Sequence, residues 1–148
     1  MKKIVGFIAC CFFFQIASAQ APKWAEKAKK AVFSVVTYDK ENKIKGTGNG
    51  FYIDAKGSAL SDYSLFEGAE RAVIINADGK QLDVNRIMGA NSMYDVVKFN
   101  TPIDKKQITL NIATQPAKVG ETVYLLPYST QKATTVQTGK VTAVDSIG

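Results

Sequence analysis

Residues 58–69 read SALSDYSLFEGA, and three small polar side chains, Ser61, Asp62 and Ser64, crowd together where an apolar-polar alternation ends. A hydroxyl beside a carboxylate is raw material for nucleophilic chemistry, provided that a base of suitable strength stands next to the hydroxyl. The usual base is imidazole, which exchanges protons near neutral pH because its unperturbed pKa is about 6.5. The chain contains no histidine. Both of its cysteines, Cys10 and Cys11, fall in an N-terminal apolar run. These counts exclude an imidazole general base and a Cys/His zinc site. A chain cut after residue 19 would also lack a thiol nucleophile and a disulfide. Ser61 and Asp62 carry a plainer expectation, as polar residues that close a strand and cap the next turn.

The N-terminus has the parts of an export signal. MKK is followed by the thirteen residues IVGFIACCFFFQI and then by ASAQ, which puts small residues at minus three and minus one of a cut after Ala19. The run is shorter than the about 20 residues that span a bilayer. Residues 1–19 are therefore expected to be a signal peptide, the mature chain to be periplasmic or secreted, and membrane contact to end with cleavage. An uncleaved anchor and a lipoprotein at Cys10 or Cys11 are the weaker alternatives. The formal charge of +6 counts Lys2 and Lys3; without them 17 basic residues face 13 acidic ones, or +4. PKWAEKAKK (22–30) holds four of those lysines, and from Ala31 onward 13 basic residues meet 12 acidic ones. One short basic patch on an exported chain does not predict nucleic-acid binding.

The elements that must position any chemistry follow from periodicity. Trp24, Ala28 and Val32 are spaced four apart, which predicts a short helix over 20–30 with Pro22 in its first turn. A membrane-surface or partner-binding helix is the alternative reading of the same lysines. From AVFSVVTY onward the period is two, through GFYID, SALS, RAVIIN, KQLDVNRIM, DVVKF, ETVYLLPY and TTVQTGKVTAVD. Asp78-Gly79 marks a hairpin. Short strands separated by turns predict an all-β antiparallel barrel or sandwich. TPIDKKQITLNIATQPAKVGE reads as a connection with only ITLNI strand-like. GTGNG has Gly46, Gly48 and Gly50 at alternate positions; no helix start follows, so close backbone approach is a better reading than a phosphate loop.

Five blocks, in order and at suitable spacing, resemble the trypsin-like serine proteases, specifically the bacterial HtrA (Deg) family. GTGNGFYID resembles its Gly-Ser-Gly-Ser-Gly-Phe strand, and ALSDYSLFEGA its Leu-Thr-Asn-Ala-His segment and the turn beyond. RAVIINADGKQLDVNRIMGANSMYDVVKF is similar to its Asp-Gly hairpin and Asp-Leu-Ala-Val-Leu-Lys run. AKVGETVYLLPY and TVQTGKVTAVD are similar to the opening of its second barrel. The resemblance implies a six-stranded antiparallel barrel over 31–101, an inter-barrel connection over 102–118, and the first hairpin of an incomplete second barrel over 119–148. It places the triad Asp on Asp95 and the triad His on Ser64, thirty-one residues earlier. The family's Gly-Asn-Ser-Gly-Gly block has no counterpart before Gly148. LPYSTQ replaces the usual Gly-Asn-Pro, and no PDZ domain follows in these residues.

A serine hydroxyl cannot take a proton from a second serine as imidazole does, and general-base help is typically worth about 10²–10⁴-fold. Lys98 is the nearest substitute base, but three residues along a strand from Asp95 it should point to the opposite face. Asp95 is thus expected to be a structural carboxylate, hydrogen-bonded by Ser64, Ser61 or backbone amides behind an absent histidine. Three functions follow as expectations. The first is a catalytically degenerate protease domain that binds or scaffolds polypeptide ligands; the second, a piece of an active serine endopeptidase lineage; the third, a small secreted all-β binding module. None calls for a cofactor or a metal.

Overall fold

Val32–Tyr38 is almost entirely β-branched and aromatic, and it forms the inner strand β1 of the computed structural model, which describes residues 21–128 and 135–145. The expected signal peptide 1–19, with Cys10 and Cys11, lies outside the described residues. β1 pairs on one side with β2 (Ile44–Tyr52), on the other with β4 (Arg71–Ile75). β2 then pairs with β3 (Ser58–Ser61), and β3 with β7 (Val96–Asn100). The flanks are β5 (Gln81–Asp83) on β4 and β6 (Arg86–Asn91) on β7. Every pairing is antiparallel, and the sheet order is β5-β4-β1-β2-β3-β7-β6.

The two flanking strands are halves of one. KQLDVNRIM, expected as a single strand, bends at Val84 and Asn85, and its two halves sit at opposite ends of the sheet. Val84 N–H donates to the Ala72 carbonyl on β4 at 3.1 Å, and the next residue, Asn85, donates to the Asn100 carbonyl at the end of β7 at 2.8 Å. Hydrogen bonding changes partner between consecutive residues, which curls the sheet on itself. Counted with this strand taken once, the sheet has the six strands expected, an all-β arrangement compatible with a trypsin-like barrel. Residues 76–80 make the Asp78-Gly79 hairpin, with Gly79 at φ +79°.

Inward side chains of β1, β2, β3, β4 and β7 meet in one core. Phe33, Val35, Tyr52, Ala59, Ile74, Val97 and Phe99 form the buried core. Phe33 meets Tyr52 edge-on at 5.0 Å between centroids and Phe99 at 6.1 Å. Burying each such large side chain is worth about 1.5–3 kcal/mol, and truncating Phe99 to alanine would cost about 3–5 kcal/mol.

The helix α1 spans Lys23–Ala28 and continues as a 3₁₀ turn, Lys29–Ala31. Pro22 precedes it as the N-cap residue, its carbonyl accepting from Ala25. The expected buried face of Trp24, Ala28 and Val32 is corrected: Ala25, Ala28 and Ala31 are buried, Val32 already belongs to β1, and Trp24 is 58% exposed. Tightening to three residues per turn brings Ala31 into line with Ala25 and Ala28. Trp24 packs edge-on against Tyr124 at 5.0 Å. Tyr124 belongs to β8 (Thr122–Leu125), which pairs with β9 (Gln137–Lys140) in a separate two-stranded sheet.

The connection between the sheets is irregular. ITLNI forms no strand; Leu110 N–H makes one bond to the Tyr52 carbonyl, at 2.9 Å. Among the described residues no helix is long and apolar enough to cross a membrane.

Candidate functional site

β3 ends at Ser61, and the chain then turns into α2 (Tyr63–Phe66), a single helical turn. Two apolar side chains fix it. Phe66 lies against Phe99 of the core at 5.1 Å between centroids. Leu65 lies over the glycines of β2, where a Cβ added at Gly48 would collide with Leu65 Cδ1 and one at Gly46 would touch Leu65 Cδ2 at 3.4 Å. The alternating glycines are the seat of Leu65. Gly50 serves a different neighbour: its missing Cβ would stand 2.5 Å from Phe33 Cε2 and 2.7 Å from the Leu60 carbonyl.

Ser64, in the middle of this turn, faces the end of the β6–β7 connection. There Asn91 Oδ1 accepts from Met93 N–H at 3.0 Å and Tyr94 N–H at 3.2 Å, and the chain closes through Asp95 with φ +51°. Left-handed backbone is uncommon outside glycine, although Asp and Asn tolerate it best among the others. Asp95 then makes three bonds to α2. Its backbone carbonyl accepts from Tyr63 N–H at 3.1 Å. Its Oδ1 accepts from Ser64 N–H at 2.6 Å, and its Oδ2 accepts from Ser64 Oγ at 3.0 Å.

These bonds show where the expected residues lie. Ser64 and Asp95 are brought together, across thirty-one residues of sequence. Ser64 sits on a helical turn rather than on the strand itself. Asp95 accepts from Ser64 and a backbone amide, as a structural carboxylate should, but the enclosed setting is corrected: both residues are exposed to solvent. An exposed carboxylate needs no burial to be compensated, so its bonds serve the backbone of α2. Ser61 does not join them. Its hydroxyl donates to the Asn49 carbonyl at 2.7 Å, which ties β3 to β2. Asp62 occupies the N-cap position of α2 yet makes no side-chain cap bond. Asp95 does that work from another segment, satisfying the first two N–H groups of the turn.

Lys98 belongs to other surroundings. It lies opposite Leu60 on β3, and its charge is felt by Asp54. Hydrogen bonding from Ser58, its hydroxyl foremost, then the backbone N–H groups of Ser58 and Lys56 and the Lys98 charge, hold the Asp54 carboxyl below its ordinary range. Among the described residues no group of three or more His, Cys, Asp or Glu side chains is placed to hold a metal ion.

What the arrangement can do chemically is limited. The Ser64 hydroxyl donates to a carboxylate and is solvated, with no imidazole to relay its proton. Leu65, Phe66 and the amide of Tyr63 position the pair, and the sequence marked none of them. The signal was present in Gly46 and Gly48, whose bare faces imply an incoming apolar side chain. No family model matches the chain. A search among curated proteins likewise finds no match.

Proposed function

We propose that the chain is an exported, trypsin-like domain of the HtrA type that has lost catalysis and works by binding or scaffolding polypeptide. The observation that carries this reading is the bond from Ser64 Oγ to Asp95 Oδ2 at 3.0 Å. The resemblance puts an imidazole at position 64, and the contact supports the pairing of these two positions from distant parts of the sequence. A hydroxyl there orients a carboxylate but takes up no proton at neutral pH. The curled six-stranded arrangement is compatible with such a domain, and the sequence holds no histidine to act as the base.

The test uses the purified protein with casein and a fluorogenic peptide mixture as substrates, alongside a fluorophosphonate probe for activated serine. The expected outcome is no hydrolysis and no labelling, with saturable binding of unfolded casein. Stoichiometric labelling of one serine would overturn the loss of catalysis. Absence of any casein binding would overturn the scaffold role.

A further inference from the structure

At the end of the sheet opposite Ser64 and Asp95, where β1 starts and β4 and β7 finish, the fold leaves a cavity of about 530 Å³. Sites for small molecules typically enclose about 300–1,000 Å³ and combine apolar lining with a few polar groups. Tyr52, Leu82, Ile103 and Ile108 supply the apolar lining. Tyr52 is fully buried, and its hydroxyl donates to the Pro102 carbonyl at 3.3 Å, so its donor is already engaged.

The charged lining is unbalanced. Lys30, Lys80 and Lys106 reach the cavity from three separate segments, against Asp78 and Asp104. Among the described residues none of these lysines makes an ion pair. Asp104 Oδ1 instead accepts from the Lys106 backbone N–H at 3.1 Å. The segments themselves are tied in place. Asn76 Oδ1 accepts from the N–H groups of Asp78 (3.1 Å) and Lys80 (2.9 Å), which shapes the β4–β5 turn. Gln107 Nε2 donates to the Lys30 carbonyl at 2.6 Å, joining the entry to β1 with the exit from β7.

We propose that this cavity binds a carboxylate joined to an apolar group, either a medium-chain organic acid or the C-terminal residue of a peptide with an aliphatic side chain. Charge complementarity favours the anion, since three lysines outnumber Asp78 and Asp104 in the lining. The apolar lining selects the tail, since a small hydrophilic anion would leave that surface in water. Nothing in this reasoning involves Ser64 or Asp95, so it stands apart from the loss of catalysis.

Isothermal titration calorimetry of the protein with octanoate and octan-1-ol reads the proposal directly. Octanoate is expected to bind at one site, at least about tenfold more tightly than the alcohol. The double variant Lys80→Glu/Lys106→Glu is expected to weaken octanoate by about tenfold or more, the sum of two modest surface charge terms with their signs reversed. Lys23→Glu, on α1 and outside the cavity lining, is expected to leave it unchanged. Acetyl-Ala-Ala-Leu and its C-terminal amide separate the sources. A peptide acid that binds more tightly than octanoate, with the amide at least tenfold weaker, identifies a polypeptide terminus; the reverse preference identifies a free acid. Equal binding of octanoate and octanol, indifference to the lysine reversals in a variant whose thermal unfolding is unchanged, or no binding by either acid overturns the proposal.

Discussion

Replacing Ser64 by histidine measures whether position 64 is a seat for imidazole, independently of turnover. The chain has no histidine of its own, so the introduced ring gives the only imidazole signals in a proton NMR titration. Ser64 Oγ stands 3.0 Å from Asp95 Oδ2, which puts a ring nitrogen of the replacement within about 4 Å of the same carboxylate. Two unit charges at about 4 Å interact by about 1 kcal/mol in water and by about 4 kcal/mol at an effective dielectric of about 20. Both positions are exposed, so the smaller figure applies. At about 1.36 kcal/mol per unit, the ring should titrate about 0.7 unit above its free value of about 6.5, near 7.2. The sign follows from the raised value: the contribution to stability is full below about pH 6.5 and disappears as pH rises through about 7.2. Adding Asp95→Asn should return the titration to about 6.5 and remove the pH-dependent stability. A value at or below about 6.5 that ignores Asp95→Asn would show that side chains at 64 do not address Asp95, and the alignment behind the proposed function would go with it.

Other perturbations probe the same framework. Asp95→Ala should cost about 1–2 kcal/mol in urea unfolding, as loss of a helix cap does, with Asp95→Asn milder. Asp95→Gly should be less harmful than Asp95→Ala, because glycine carries φ +51° without the penalty of a Cβ; the opposite order would contradict the role given to the backbone. Gly48→Ala should cost about 1–3 kcal/mol through overpacking, and Leu65→Ala in the same chain should recover part of it; simple additivity in that double-mutant cycle would place Leu65 elsewhere. Tyr124→Ala removes an edge-on contact worth about 0.5–1.5 kcal/mol and should shift the emission of the sole tryptophan, Trp24, to the red while amide exchange speeds up in β8 and β9 and not in β1. Burial pushes the Tyr52 phenol up to about 12, so its contribution is complete below about pH 10 and is lost as pH rises through about 12. Tyr52→Phe should therefore flatten the alkaline limb of a thermal stability profile, and an unchanged limb would refute the assignment.

The period-two runs of β1, β2, β3, β4 and β7 were legible because one face of each meets a common core, and that pattern needs no knowledge of the partner strand. What they could not give was the bend at Val84 and Asn85. A change of hydrogen-bonding neighbour leaves no trace in alternation, so KQLDVNRIM reads as one strand although its halves serve opposite flanks. The helix shows a related gap. Four-residue spacing selected Trp24, but the tightening to a 3₁₀ turn at Lys29–Ala31 favours the three-residue spacing of Ala25, Ala28 and Ala31. ITLNI has strand-like residues and no strand facing it. At the site, the pairing of Ser64 with Asp95 was legible only through the resemblance. The positive φ of Asp95 and the role of Leu65 depend on contacts between segments and were not. The cavity was equally hidden, since Lys30, Lys80 and Lys106 come together only when the start of β1, the β4–β5 turn and the exit of β7 meet.

The bonds between Asp95 and α2 also explain what holds this pair together structurally. A single helical turn has no internal partner for its first N–H groups, and it is too short to hold itself together. Asp95, for its part, sits in a backbone conformation that most residues avoid. Each answers the other: the carboxylate and carbonyl of Asp95 satisfy Tyr63 and Ser64, and those bonds hold Asp95 at φ +51°. Leu65 on the glycines of β2 and Phe66 on Phe99 fix the turn from below. Removing Asp95 would loosen the joint between β3 and β7, whatever the chemistry at position 64. An aspartate at position 95 is therefore weak grounds for inferring catalysis, and the residue at 64 is the one that discriminates. A hydroxyl there suffices for the joint but takes up no proton at neutral pH.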